Sequence, residues 1–108
     1  MLSVDKSLRK MVCELRELCP PIVPVRVRRL RLARGELGYA NLVRDDDGKP
    51  SHFNIGLCRN ATWDTLWQVL HHEWAHCLAW HEGHNTTCDH DPEWGLAVSR
   101  VYQETVAL

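Results

Sequence analysis

Apolar residues recur at helical spacing over positions 4–19. Val4, Leu8, Met11, Val12, Leu15, Leu18 and Cys19 share one face, and charged residues fill the gaps. Ser3 stands before the run as an N-cap, and Pro20-Pro21 ends it. The period then shortens to two. Val23, Val25 and Val27 alternate with polar or proline positions, which predicts a strand. Leu30 and Leu32 continue on the opposite parity, so a bulge or break is expected near Arg28-Arg29. Gly35 to Gly38 reads as a turn. Two more strands are predicted over 39–43 and 52–57, on either side of the hairpin signal Asp45-Asp46-Asp47-Gly48-Lys49-Pro50.

Helical spacing returns after Thr62, a good N-cap. Leu66, Leu70, Trp74 and Cys77 form an apolar stripe with Trp63 and Trp67 beside it, predicting a helix over 63–81 closed by Gly83. After a loop, Asp91-Pro92 reads as N-cap and first residue of a third helix over 92–106. Its buried face is Trp94, Ala97, Val98, Val101 and Tyr102. The expected architecture is α+β: an N-terminal helix, a small three-stranded antiparallel sheet and two further helices packed on it.

The 108 residues suit one domain spanning 1–108. At 44% hydrophobic and 25% charged, the chain is of ordinary globular composition. Disorder throughout is excluded, and no apolar run reaches the ~20 residues that cross a bilayer. Positions 1–10 lack the apolar region of a signal peptide. The cysteines number five, an odd count without a CxxC pair, which fits a reduced, cytoplasmic protein. A net charge of −1 gives no global field for nucleic acid.

The seven histidines change the picture, because His71, His72, His76, His81 and His84 crowd together and His90 follows. His72-Glu73-Trp74-Ala75-His76 is an H-E-x-x-H run inside the second predicted helix. Residues four apart lie one turn apart on one face, so both imidazoles can reach one metal ion. Glu73 is rotated by about 100° from His72, close enough to exchange a proton with a metal-bound water without binding the metal. The wheel places His72 and His76 away from the apolar stripe. A catalytic zinc takes three protein ligands and keeps one position open. His90, beyond the loop, fits the third place best, with His84, Cys88, Asp89 and Glu93 as the other candidates. His81 points to the apolar side and is expected to pack or cap. The longer metzincin pattern fails, since Ala79 and Glu82 stand where its glycine and third histidine belong.

Leu70 to His76, followed by His90-Asp91-Pro92-Glu93-Trp94-Gly95, resembles the SprT-like zinc metallopeptidases. The likeness is sharp over 62–102 and architectural before it. It implies a zincin-like minimal domain, zinc on His72, His76 and His90, and Glu73 as general base. Asp91 stands where that family has a glycine. No zinc ribbon or DNA-binding tail is expected after Leu108, and small stand-alone versions of this kind resemble those of phages.

The expected function is therefore zinc-dependent hydrolysis of peptide bonds, with proteins or peptides as substrates. The other reading is a zinc-stabilised binding or regulatory module without turnover, its site closed by a fourth ligand such as Cys88. Arg26, Arg28, Arg29, Arg31 and Arg34 crowd nine positions, and they suggest either a DNA contact or a solvated strand edge. Cys13, Cys19 and Cys77 are expected in the core. Trp80 is expected nearer the metal, as a wall of the substrate cleft.

Overall fold

The computed structural model describes residues 3–81 and 92–105. The elements run α1 (Val4–Leu18), β1 (Val25–Leu30), β2 (Gly38–Arg44), β3 (Pro50–Cys58), α2 (Trp63–Ala79) and α3 (Pro92–Thr105). Of the three expected N-caps, the two among the described residues form. The Ser3 hydroxyl accepts from the Lys6 amide at 3.2 Å, and the Thr62 hydroxyl from that of Thr65 at 3.4 Å. Helix α2 ends at Ala79, two residues sooner than expected, because Trp80 takes an extended backbone. Gly83, the expected stop, lies outside the described residues, as do His84, Cys88, Asp89, His90 and Asp91.

The sheet is mixed, not wholly antiparallel. Its order is β1-β3-β2, with β2 antiparallel to β3 and β1 parallel to it. The hairpin 45–50 accounts for the antiparallel pair. Asp45 Oδ1 accepts from the amides of Asp47 and Lys49, both at 2.9 Å, and Gly48 turns the chain at φ +79°. The third strand in sequence then lies in the centre, and β1 joins its far side.

No bulge interrupts β1. Its pairing runs unbroken from Val25↔Phe53 to Leu30↔Cys58, and the strand ends there. Arg29 keeps the inward parity of Val25 and Val27. Its guanidinium reaches Asp5 Oδ1 of α1 at 2.9 Å and also donates to the Arg59 carbonyl. An arginine thus holds a place that periodicity reserves for an apolar residue, its stem along the core and its head at the edge. The one register shift lies between Val43 and Arg44 on β2.

The core joins the inner sheet face to the helices. Phe53, Ile55 and Leu57 of β3 meet Leu8, Val12 and Leu15 of α1 and Leu66, Leu70 and Trp74 of α2. Cys19 and Cys77 are buried as expected, but Cys13 is exposed, on the outer side of α1. Gly38 opens β2 where the strand passes closest to α2. A Cβ there would collide with Val69 Cγ1 and crowd the Gly56 carbonyl. Gly38→Ala is therefore expected to cost about 1–3 kcal/mol, read as a lower urea midpoint at unchanged m.

Candidate functional site

Helix α2 carries H-E-x-x-H with the two x residues facing inward. Trp74 and Ala75 are fully buried, and the Trp74 indole N–H donates to the Cys19 carbonyl at 2.8 Å. That anchorage turns the helix so that His72, Glu73 and His76 emerge together. Their potential ligand atoms all lie within 4.8 Å of one another. His72 and Glu73 are half-buried, and His76 is buried. Trp94 of α3 covers part of this face, 5.1 Å from the His72 ring and 5.4 Å from that of His76.

The two Nε2 atoms stand 3.3 Å apart. Two nitrogens at the usual ~2.0–2.1 Å from one zinc, at a tetrahedral angle, would be separated by about 3.3–3.4 Å. The pair thus has the spacing of two ligands on one ion, and among the described residues His72, Glu73 and His76 form a group able to hold a metal.

Burial pushes the Glu73 carboxyl up to about 7, since the charged form loses hydration there. Burial, reinforced by that nearby carboxylate, also raises the Cys77 thiol. A carboxylate titrating near neutrality is suited to accept and return a proton. It also affects stability. The folded state holds this proton more tightly, so Glu73 costs the metal-free protein stability as pH rises from about 4.5 to about 7. His71 gives the opposite slope, because burial lowers its pKa. Metal-free Glu73→Gln should therefore gain on wild type across that interval, by about 1–2 kcal/mol after allowing for solvent screening. Denaturant melts of both proteins at pH 4.5 and 7.5 check this.

His71 was given no role by the sequence pattern, yet it ties the site to α3. It is buried, with Nδ1 2.6 Å from the Trp67 carbonyl and Nε2 3.3 Å from Thr105 Oγ1. Its ring lies 4.0 Å from that of Trp67. The signal was its position, one turn after Trp67 beside the apolar stripe.

Other expectations need correction. His81 does not pack against the apolar side of α2. It lies past the helix end, exposed, with Nε2 2.9 Å from Glu93 Oε2. Glu93, one of the alternative third ligands, is thus engaged away from the His72–His76 group. Trp80 is a core residue, not an exposed wall beside the His72–His76 group. It is buried edge-on to Phe53 at a centroid distance of 6.1 Å, with the Arg44 guanidinium 5.9 Å from its ring. The arginine cluster divides. Arg26 and Arg28 project from the outer sheet face, Arg29 turns inward to Asp5, and Arg31 and Arg34 follow the strand, exposed. His90 and Cys88 lie outside the described residues.

Residues 8–107 match the SprT-like family. This chain belongs to the SprT-like family. The match covers nearly the whole SprT-like chain, including the strands and first helix where the sequence likeness was only architectural. No curated protein and no solved structure matches it. Among the described residues no helix is long and apolar enough to cross a membrane.

Proposed function

We propose that this SprT-like protein is a zinc-dependent endopeptidase. The observation that carries the reading is the pair of Nε2 atoms 3.3 Å apart with the Glu73 carboxylate beside them. His72 and His76 would hold the zinc, and His90 would complete the set. Bound there, zinc supplies a water of pKa near ~7 and polarises the carbonyl of the bond to be cut.

The chain's own residues do the rest. Glu73 takes the proton of the attacking water and returns it to the leaving amine. Its half-buried position keeps the proton affinity high enough for both transfers. Trp94 packs against both imidazole rings. Trp74, through the Cys19 carbonyl, fixes the rotation of α2 on which their convergence depends.

Bound zinc per chain, measured in wild type and His90→Ala, tests the ligand set. About one zinc in wild type, lost or much weakened in the variant, is expected. Retention without His90 would shift the third ligand elsewhere. A wild type that takes up no zinc on reconstitution would remove the case for an enzyme. Cobalt substitution separates the non-catalytic module: thiolate charge-transfer bands would mean a site closed by Cys88.

A further inference from the structure

A cleft of about 500 Å³ lies between the start of β2 and the facing sides of α2 and α3, and His72 and Glu73 stand on its wall. Its size is in the range of small-ligand sites. Its other walls are built regularly. On α3 the lining residues are Trp94, Val98 and Tyr102, spaced by four, so one stripe of that helix faces the cleft. On α2 Val69 lies one turn before Glu73. Leu37 closes the side nearest β2.

Two features say what the cleft accepts. Leu37 is 50% exposed and Tyr102 39%, and they belong to a short set of large apolar or aromatic side chains left uncovered among the described residues. Both line this one cleft, from opposite elements. The second feature is charge. Besides His72 and Glu73, no acidic or basic side chain lines the cleft among the described residues. An acidic guest seated in the cleft would lose hydration, and no lysine or arginine lines it among the described residues to replace that loss. A lysine would lose hydration, and the acidic side chain lining the cleft among the described residues is the proton-transfer group itself. An apolar guest carries neither cost.

We infer that this cleft is a specificity pocket for one large apolar side chain, Leu, Met or Phe, of an extended substrate peptide, next to the bond that is cut. The inference rests on the proposed peptidase reading and names its substrate class. Successive residues of an extended chain advance by about 3.3 Å, and a helix turn rises 5.4 Å. A side chain one or two residues from a peptide bond held at Glu73 therefore reaches as far as Val69, one turn away on α2.

The test uses the full zinc-loaded chain and short Gly/Ala peptides in which one residue is Leu, Met, Phe, Lys or Glu. Cleavage sites are mapped by mass spectrometry. Cleavage beside Leu, Met or Phe is expected with kcat/KM at least ten-fold above Lys or Glu. Val98→Arg, on the half-exposed flank of α3, should reverse the order and favour the Glu peptide, which a merely misfolded variant would not do. Binding is followed separately on Glu73→Gln by the backbone amide shifts of Val69, Val98 and Tyr102. Shifts with the Leu peptide and none with the Glu peptide are expected. Cleavage without side-chain preference, unchanged by Val98→Arg, would overturn the pocket and leave the peptidase reading standing. Selective shifts with no cleavage of any peptide would overturn the peptidase reading and keep the pocket as an apolar binding site. Neither cleavage nor shifts would overturn both.

Discussion

Glu73→Gln is expected to keep its metal and lose peptide hydrolysis by a factor of 10² to 10⁴, the usual contribution of a positioned acid–base group. Glutamine has nearly the shape of glutamate, so the turn between His72 and His76 is unchanged. What it lacks is a carboxylate that can accept a proton. The burial that raises the Glu73 pKa to about 7 favours the neutral amide at this place, so the variant should fold at least as well as wild type. Zinc content and hydrolysis of an unfolded protein substrate, measured on the same preparations, decide the point. Equal cleavage by both proteins would sink the proposed role of Glu73, whatever the metal content.

Trp74→Ala should have the largest effect on stability. The side chain is fully buried among α1, the sheet and α2, and truncating a buried tryptophan costs about 3–5 kcal/mol. The Cys19 carbonyl also loses its donor. Against a total stability of about 5–15 kcal/mol, the loss would lower Tm by roughly 15 °C or more. Trp74→Phe separates the two contributions. It keeps most of the ring and removes the N–H, and should cost about 1–3 kcal/mol. Calorimetry of the three proteins checks both figures. Equal Tm values for wild type and Trp74→Ala would mean that the indole does not anchor α2.

Local signals were legible in the sequence wherever one residue carries one physical instruction. Ser3 and Thr62 cap the helices they were expected to cap, and Asp45 with Gly48 builds the expected hairpin. The H-E-x-x-H spacing placed two imidazoles on one helix face because helical geometry leaves little choice. Strand order was not legible. Alternation says which face of a strand is buried, but it does not distinguish a parallel neighbour from an antiparallel one. The break expected at Arg28-Arg29 failed for another reason. The pattern counts arginine as polar, whereas Arg29 lies inward because Asp5 and the Arg59 carbonyl receive its guanidinium. Trp80 was misjudged, and His71 was given no role, because a wheel drawn for one helix omits its neighbours. Thr105 and Phe53, which define their surroundings, lie on other elements.

The central place of β3 sets an order of events during folding. The β2–β3 hairpin closes over a few residues, so it can form early and at small entropic cost. Strand β1 pairs with β3 alone, Val25 opposite Phe53, across a far longer stretch of chain than the hairpin turn. Its docking closes a much longer loop and brings Arg29 to the Arg59 carbonyl. The slow step of refolding is therefore expected to be attachment of the amino-terminal part, α1 with β1, to a hairpin already made.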